Sequence, residues 1–336
     1  MSRIAVVGAG AWGTALAMAL ARKGGHAIQL WANEFEVVES VAKRRINEQF
    51  LPGFALPAPI QVTNDLAVAL QGAEILLSVM PSQHCRPLFE RMVPALRPET
   101  LVVSCTKGLE STTLLRMTEV ITDVVRKSGW TPRVGALSGP SFAKEVARGD
   151  PTAVTVASTD GDLARAAQQA LNSSRFRVYT NDDVIGVELG GALKNIIAIA
   201  AGVCDGLGLG HNSIAALITR GLAEITRLVI ACGGRPDTMA GLAGLGDLVL
   251  TCTGDLSRNR SVGVELGRGR KLPDIISSMH GAVAEGVFTI KAAVGLARKK
   301  NVEMPITEQM FAILEQGKAP QQAIEELMTR AARSEV

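Results

Sequence analysis

A glycine-rich segment near the start of the chain constrains its fold more than any other feature. Gly8, Gly10 and Gly13 form the pattern GxGxxG, between an apolar run at residues 4–7 and a helical pattern at residues 14–21. Between a buried strand and a helix, such glycines allow a tight turn and a close approach of the backbone to a pyrophosphate. The helix N-terminus then offers free amides to phosphates. The segment predicts a dinucleotide-binding unit, and a glycine-rich turn without a ligand is the alternative.

The uncharged stretch of residues 4–21, which follows Arg3, also has the composition of a signal peptide or a short membrane span. The glycines at its centre and the change from strand-like to helix-like spacing argue against both. The formal charge of +3, from 35 basic and 32 acidic residues, is too balanced to indicate a nucleic-acid partner. We therefore expect a cytoplasmic protein that neither inserts into a membrane nor binds nucleic acid.

Cysteine and histidine usage gives no sign of a disulfide framework or a metal site. The five cysteines are odd in number and form no CxxC pair, so buried reduced thiols are expected. The four histidines form no HExxH motif and no His/Cys cluster, so no metal is predicted. Hydrophobic residues make up 47% of the 336 positions, which is enough for two cores.

Strand-like and helix-like patterns alternate through the first half of the chain. They predict the α/β class, with an N-terminal Rossmann-type doubly wound and mostly parallel sheet over residues 1–182. The predicted strands are residues 4–7, 27–31, 74–80, 101–105, 133–137, 152–157 and 176–179. The predicted helices are residues 14–21, 36–45, 86–96, 113–127 and 162–171. Residues 51–59 hold three prolines and a glycine and are predicted to be a loop.

The second half of the chain, residues 183–336, has a different character. Alanine, leucine, isoleucine and glycine recur there at helical spacing, and no segment has a convincing strand pattern. We predict an all-α C-terminal domain that carries substrate-binding and catalytic residues. Its predicted helices are residues 187–203, 213–232, 286–300 and 306–316.

The residue that reads the ribose of a bound dinucleotide usually lies about 20 positions after the glycine pattern. Asn33 and Glu34 occupy that place. Glu34 can accept a hydrogen bond from a ribose 2′-hydroxyl, which favours NAD, whereas Asn33 can donate to a 2′-phosphate, which admits NADP. Arg44 and Arg45 are close enough in sequence to fold back toward that phosphate. The residues leave the choice between NAD and NADP open.

A lysine stands on an otherwise small and apolar helical pattern at residues 191–202. Gly191, Lys194, Ala198 and Ala201 share one helical face. Small neighbours leave space in front of the lysine, which a substrate can fill, and a buried lysine of lowered pKa can transfer a proton. The alternative is a lysine that extends to solvent from a close-packed helix. Spacing does not decide between the two.

Three polar segments are candidates for ligand contacts. Residues 241–247 are glycine-rich and precede Ser257, Arg258 and Asn259, which together suit a phosphate. The alternative for these residues is a surface loop between helices, with Ser257 as an N-cap. Two further segments, at residues 106–110 and 138–143, each follow a predicted strand, where ligand sites of α/β proteins gather.

Taken together, the motifs resemble the NAD(P)-dependent glycerol-3-phosphate dehydrogenases of bacterial type, essentially from end to end. The motifs that carry the resemblance are GAGAWGTALA at 8–17, VMPSQ at 79–83, TKGLE at 106–110, SGPSFAKEV at 138–146, GALKNIIAIAAG at 191–202, GLAGLGDL at 241–248, SRNRSVG at 257–263 and VAEGVFT at 283–289. The lysine-helix motif is the most specific of them.

The resemblance implies the reversible reduction of dihydroxyacetone phosphate to sn-glycerol 3-phosphate, which supplies phospholipid synthesis, with Lys194 as the proton-transfer residue. The residues it places around the substrate are Lys107, Gly139, Ser141, Lys194, Asp247, Ser257, Arg258 and Asn259. Beside Gly8, Gly10 and Gly13, those it assigns to the cofactor are Ala11, Trp12, Asn33, Lys107, Ala143, Arg258, Val283 and Glu285. Two positions depart from the family: position 33 is often basic and is Asn here, and position 11 is often Ser and is Ala here.

Two other functions are compatible with parts of the pattern. β-Hydroxyacid dehydrogenases of the 6-phosphogluconate type also join a Rossmann domain to a helical domain with a lysine helix. A non-catalytic NAD(P)-binding redox sensor needs only the first domain, and has no use for Lys194, Asp247 and Arg258 together. The expected partner is a small-molecule substrate, and a homodimer through the helical domain is also expected.

Overall fold

The computed structural model describes residues 2–279, 283–332 and 334–335. Its N-terminal part is built on one eight-stranded sheet, flanked by helices. The order of the strands across the sheet is β10-β9-β8-β7-β6-β1-β2-β5. The strands are β1 (Ser2–Val7), β2 (His26–Trp31), β5 (Ile60–Thr63), β6 (Ile75–Ser78), β7 (Leu101–Ser104), β8 (Arg133–Ser138), β9 (Thr152–Ala157) and β10 (Phe176–Asn181), and a separate hairpin pairs β3 (Ile46–Asn47) with β4 (Leu51–Ala55).

β1 is the first strand of the sheet, and later strands are added on both sides of it. The chain places β2 and β5 on one side of β1 and then β6 to β10 on the other. β1 pairs in parallel with β2 on one side, with Ile4 beside Ile28, and with β6 on the other, with Ile4 beside Ile75. Residues 4–7 are fully buried because both faces of β1 are covered by helices. The carboxyl end of β1 therefore lies at the switch point of a doubly wound sheet, where such sheets bind ligands. The predicted Rossmann-type fold class is confirmed.

Three features of the sheet differ from the prediction. β9 runs antiparallel to β8, since strand direction depends on the connection and leaves no mark on the strand's own residues. The predicted loop at 51–59 contains β4, whose proline and glycine are tolerated because the hairpin has only one partner strand. The edge strand β5 was not predicted, because only one of its four residues is buried and it lacks the continuous apolar run of the central strands.

Helices cover both faces of the sheet. In chain order they are α1 (Ala11–Lys23), α2 (Phe35–Arg44), α3 (Leu66–Leu70), α4 (Cys85–Met92), α5 (Met117–Arg126), α6 (Ala143–Arg148) and α7 (Gly161–Leu171). α5 begins four residues later than predicted, because Leu114 has a left-handed backbone and Arg116 forms a β-bridge to Leu109. α4 ends at Met92, and a 3-10 turn that contains Pro94 follows it.

The rest of the described chain is helical, as predicted. Its helices are α8 (Val184–Gly206), α9 (His211–Ala231), α10 (Pro236–Met239), α11 (Asp247–Thr253), α12 (Arg258–Gly267), α13 (Leu272–Ser277), α14 (Glu285–Lys299), α15 (Pro305–Gln316) and α16 (Pro320–Met328). A π-helical turn, Leu242–Gly246, leads into α11. α8 is long and apolar enough to cross a membrane, but it is the core helix of this part, and 89% of its most apolar 18-residue window is buried inside the protein.

Glycines let α8 and α12 pack backbone to backbone. A Cβ on Gly202 would lie 2.0 Å from the carbonyl oxygen of Arg260, and a Cβ on Gly263 would lie 1.9 Å from that of Ile199. No side chain fits at either position, so the two helix axes come close together. This contact sets the N-terminus of α12 alongside the middle of α8, where Lys194 lies.

The five cysteines are free thiols, as predicted, and all except Cys232 are buried. No group of three His, Cys, Asp or Glu side chains suited to a metal ion occurs in residues 2–279, 283–332 and 334–335.

Candidate active site

The glycine pattern forms a tight turn between β1 and α1. Gly8 has a φ of +118°, and a Cβ there would lie 2.0 Å from the carbonyl oxygen of Val79, at the end of β6. A Cβ on Gly13 would lie 1.8 Å from the carbonyl oxygen of Gly8. Gly10 instead faces open space, with no atom within 4 Å of a Cβ built there. Two of the glycines thus close the turn, and the third leaves room beside the backbone for another molecule.

The start of α1 suits a phosphate group. No side chain caps the helix at Gly10, and its first turn holds no acidic residue. Its amides and the positive end of the helix dipole are therefore unused by the described protein. Ala11 and Trp12 are half-buried in this turn and pack against the same core as Ala143 at the start of α6. This turn has the shape and the free donors that the pyrophosphate of a dinucleotide requires.

The two candidate ribose-reading residues follow β2. Asn33 is exposed, and Glu34 is the N-cap residue of α2 without a capping hydrogen bond from its side chain. The two arginines that were considered as partners of a 2′-phosphate are engaged elsewhere. Arg44 pairs with Glu48 at 3.3 Å, and Arg45 donates to backbone carbonyls of residues 56, 57 and 60. The described contacts leave NAD and NADP both open.

Lys194 lies in the middle of α8 and is buried, so the interpretation of a lysine that extends to solvent is wrong. Its side chain is 7% exposed. Its ammonium donates to Asp247 Oδ1 and, over 2.6 Å, to Thr251 Oγ1. The space expected in front of the lysine holds these two side chains of α11. Of the residues on its face, Ala198 and Ala201 are buried in the helical core and do not line a ligand site.

Gly191 brings the lysine helix against the end of β8. A Cβ at this position would lie 2.5 Å from Ser138 Oγ and 3.7 Å from Lys107 Cγ. Any larger residue would push α8 away from the sheet. The glycine thus places Lys194, one helical turn later, next to the residues that follow β7 and β8.

Asp247 connects the two halves of the site. Its carboxylate is 1% exposed and is shared by two lysines, with Lys194 on Oδ1 and Lys107 2.6 Å from Oδ2. Burial disfavours a charge on Asp247, but the two ammonium groups outweigh burial and lower its pKa. Burial also lowers the pKa of Lys194 to about 8, although Asp247 opposes this shift and Lys107 adds to it. Lys194 can therefore change its protonation state near neutral pH.

The segment after β8 lies beside Lys107. Gly139 has a φ of +140°, and a Cβ there would lie 2.9 Å from the Cα of Val154. Its carbonyl oxygen accepts hydrogen bonds from Lys107 Nζ at 3.3 Å and from Ser141 Oγ at 2.8 Å. The strained turn thus brings Ser141 and Lys107 to one carbonyl group, at the carboxyl edge of the sheet.

The N-terminus of α12 carries three predicted substrate residues. Ser257 caps the helix and accepts from the amide of Arg260 at 3.2 Å, as its N-cap interpretation predicted. Asn259 is buried, donating to Asn195 Oδ1 over 3.1 Å and accepting from the amide of Gly286 over 2.9 Å. Arg258 is exposed, and its guanidinium has no hydrogen bond or ion pair with any residue that the structure describes. Arg258 is the site's uncommitted cation.

Glu285, at the start of α14, closes the other side of the site. Its carboxylate accepts from Ser82 Oγ at 2.8 Å and from the Ser82 amide at 3.3 Å. A Cβ on Gly108 would lie 3.3 Å from it. Burial raises the pKa of Glu285, although Ser82 and Arg258 oppose the shift. Val283, two residues earlier, is half-buried.

Four residues of the site were given no role of their own by the sequence, although Ser138 lies in the candidate segment 138–143 and Thr251 follows the glycine-rich segment 241–247. Thr251 contacts Lys194, and Asn195 contacts Asn259. Ser138 contacts Asp247, and Ser82 contacts Glu285. Thr251 lies four residues after Asp247, so helical spacing alone places both on one face. For the two serines no comparable signal exists, because their partners are more than 100 residues away.

Comparisons with known proteins agree with this arrangement. The family described as the NAD-dependent glycerol-3-phosphate dehydrogenase N-terminus matches residues 3–164, and the corresponding C-terminus matches residues 183–325. The chain belongs to the NAD-dependent glycerol-3-phosphate dehydrogenase family. It is 67% identical to the Glycerol-3-phosphate dehydrogenase [NAD(P)+] of Koribacter versatilis, covering 100% of this chain and 99% of the relative.

Other relatives support the same family. The Glycerol-3-phosphate dehydrogenase [NAD(P)+] of Acidobacterium capsulatum is 56% identical, with both chains covered completely. The crystal structure of glycerol-3-phosphate dehydrogenase from Coxiella burnetii is 43% identical with a TM-score of 0.93, over 98% of this chain and 99% of the other. The predicted resemblance is confirmed over the whole length of the chain.

Proposed function

We propose that the protein reversibly reduces dihydroxyacetone phosphate to sn-glycerol 3-phosphate with NADH or NADPH, and thereby supplies glycerol 3-phosphate for phospholipid synthesis. The observation that carries the proposal is the buried Lys194, held by Asp247, in a chain whose glycine turn has no side-chain cap at the start of α1. Relatives that are 67% and 56% identical are named for this reaction.

The turn at Gly8, Gly10 and Gly13 and the first turn of α1, with Ala11 and Trp12, hold the pyrophosphate of the dinucleotide. When bound, the dinucleotide supplies the hydride. Further contacts to it come from Asn33, Lys107, Ala143, Arg258, Val283 and Glu285.

Lys194 supplies the proton. In the direction of reduction, negative charge develops on the C2 oxygen of the ketone, and the ammonium of Lys194 stabilises that charge and donates a proton to the oxygen. In the direction of oxidation, the neutral amine accepts the proton of the C2 hydroxyl. Asp247 and Thr251 orient Lys194 by accepting its other two N–H groups.

Cations and neutral donors around Lys194 bind the phosphate of the substrate. Arg258 is free for a bidentate contact, which a planar guanidinium makes with two phosphate oxygens. Neutral contacts come from Gly139, Ser141, Ser257 and Asn259, and Lys107 adds a second positive charge. Binding of the remote phosphate helps to hold C2 in place for the reaction.

In this proposal the N-terminal domain binds the dinucleotide, and the C-terminal domain carries the proton donor. We propose a boundary at residues 182/183, between the end of β10 at Asn181 and the start of α8 at Val184. The protein acts in the cytoplasm on small molecules and does not insert into a membrane. It forms a homodimer through its helical domain, where α9 exposes Ile230, and light scattering of the purified protein would measure its mass.

The test of the reaction follows the absorbance of NADH, and separately of NADPH, after dihydroxyacetone phosphate is added to the purified protein. Fast oxidation of either nucleotide is expected, and the ratio of the two rates gives the cofactor preference. Absence of oxidation, with turnover of acids of the 6-phosphogluconate type, would favour the β-hydroxyacid dehydrogenase. Binding of nucleotide without turnover of any of these substrates would favour the redox sensor.

A further inference from the structure

Asn47 is a fully buried polar residue that lies outside the proposed set of ligand-binding residues. It is 0% exposed and lies in β3 of the small hairpin. Its Nδ2 donates to the carbonyl oxygen of Ala9 at 2.7 Å and to Thr14 Oγ1 at 2.9 Å. Its Oδ1 accepts from the amide of Phe50 at 3.1 Å. One side chain thus joins the hairpin to the glycine-rich turn, 38 residues away in sequence.

The contact controls the direction of one peptide group in the turn. Thr14 Oγ1 also donates to the Ala9 carbonyl oxygen, at 3.2 Å, so two side chains hold this oxygen. In a planar trans peptide the carbonyl and the following N–H point in opposite directions. Because Asn47 and Thr14 hold the Ala9 carbonyl on the protein side, the N–H of Gly10 points away from them. Gly10 is the residue of the turn that faces open space.

The hairpin itself is firmly attached, so Asn47 is a fixed point. α2 ends at Arg45 in the left-handed conformation, and the carbonyl oxygen of Arg45 accepts from the amide of Leu56 at 2.6 Å. The Arg45 guanidinium donates to carbonyls of the segment that follows the hairpin, among them that of Ile60 in β5 at 3.0 Å. Leu51, opposite Asn47 in the hairpin, is 0% exposed and belongs to the core that contains α1.

We infer that Asn47 is a positioning residue for dinucleotide binding, which acts by fixing the Ala9–Gly10 peptide so that the Gly10 amide faces the pyrophosphate. The inference rests on the proposed dinucleotide-binding function of the turn. Since the pyrophosphate is common to NADH and NADPH, Asn47 affects the two nucleotides equally and does not select between them.

The decisive variant is Asn47→Asp. It keeps the shape of the side chain and the acceptor for the Phe50 amide, but it loses both donations to the turn. Thr14 still donates to the Ala9 carbonyl in this variant, but a carboxylate oxygen faces that carbonyl in place of the lost donor. Dissociation constants for NADH and NADPH should therefore both rise roughly 10-fold. Thr14→Val, which has nearly the same volume, removes the second donor to Ala9 and should weaken both nucleotides about 3- to 10-fold.

The matched control is Asn172→Ala. Asn172 is also in the sheet domain, at the end of α7, and accepts a single backbone hydrogen bond, from Val178 at 3.1 Å, rather than a bond from the glycine turn. Loss of this hydrogen bond tests whether general destabilisation of the domain weakens nucleotide binding. The dissociation constants of Asn172→Ala should stay within about 2-fold of those of the unaltered protein. All four proteins are titrated with NADH and NADPH by nucleotide fluorescence, without substrate.

This inference would be overturned if the unaltered protein binds both nucleotides and the variants of Asn47 and Thr14 bind them as tightly as the control does. That result would leave the proposed function standing. If Asn47→Asp does not fold, an unchanged affinity of Thr14→Val would overturn it. A change in the ratio of the two dissociation constants would also contradict it. An unaltered protein that binds neither nucleotide would instead refute the proposed function itself.

Discussion

Replacing Asp247 by Asn should move the pH dependence of the reaction to lower pH. The Asp247 carboxylate touches two ammonium groups, and its negative charge opposes the lowering of the Lys194 pKa by burial. Without that charge, burial and the neighbouring Lys107 both act in the same direction. An opposite charge in contact typically changes a pKa by about 1–3 units, so the Lys194 pKa should fall by that amount from about 8.

The pH profile shifts to lower pH in both reaction directions, although rising pH lowers the rate of reduction and raises the rate of oxidation. Reduction of the ketone needs protonated Lys194, so kcat should decline at a lower pH in Asp247→Asn than in the unaltered protein. Oxidation of glycerol 3-phosphate needs the neutral amine, so the pH at which kcat rises should also be lower. The assay is kcat against pH from about 5 to 10 in both directions, at saturating nucleotide.

The matched control is Thr251→Val, which removes the 2.6 Å hydrogen bond to Lys194 without removing a charge. Its pH midpoint should change by less than about 1 unit, since a neutral hydroxyl stabilises the ammonium less than a carboxylate does. A midpoint that stays in place or rises in Asp247→Asn would refute the account of how Asp247 acts on Lys194.

Three further predictions concern packing, the phosphate and stability. Gly202→Ala puts a Cβ 2.0 Å from the Arg260 carbonyl oxygen and should lower the free energy of unfolding, measured in urea, by about 3 kcal/mol or more. Its control is Gly210→Ala, where a Cβ has no atom within 4 Å, and this change should lower the free energy of unfolding by about 1 kcal/mol at most. Arg258→Ala should raise the KM for dihydroxyacetone phosphate about 10- to 100-fold, with partial recovery in Arg258→Lys. Burial raises the pKa of Glu224 to about 7, above its ordinary 4.5. Its contribution to the stability of the fold is therefore present below pH 4.5 and is lost as pH rises through about 7. Glu224→Gln should remove this decrease in the free energy of unfolding, measured in urea at about pH 5 and pH 7.

Each of these has a contradicting result. Equal stability of Gly202→Ala and Gly210→Ala would show that α8 and α12 are not held at backbone contact. An unchanged KM in Arg258→Ala would remove that residue from the phosphate site. A pH slope of unfolding that persists in Glu224→Gln would assign the slope to another group.

Local patterns were enough to predict the central strands and the glycine turn. Residues 4–7 are apolar without interruption because β1 is buried on both faces, and that signature is visible in the sequence. The hairpin was missed because Pro52 and Gly53 normally indicate a loop, and β4 tolerates them only as a strand with a single partner. The antiparallel direction of β9 was missed because it is a property of the chain path.

The sequence predicted a set of residues for the candidate site but not their arrangement. The spacing of residues 191–202 left open whether Lys194 is buried, because its burial depends on α11, more than 50 residues later in the chain. The sharing of Asp247 between Lys107 and Lys194 joins positions 140 and 53 residues apart and follows only from the fold. The hydrogen bonds from Arg45 to the carbonyls of residues 56, 57 and 60 likewise became visible only in the structure.

The most direct test of the central claim is the turnover of Lys194→Met, which keeps an unbranched side chain, one atom shorter, but cannot transfer a proton. With dihydroxyacetone phosphate and saturating NADH or NADPH, kcat should fall at least ~10²–10⁴-fold, while the dissociation constant for the nucleotide stays unchanged. Lys127→Met, at a surface lysine that is 65% exposed, is the matched control and should retain full activity. Turnover of Lys194→Met close to that of the control would contradict the assignment of Lys194 as the proton donor.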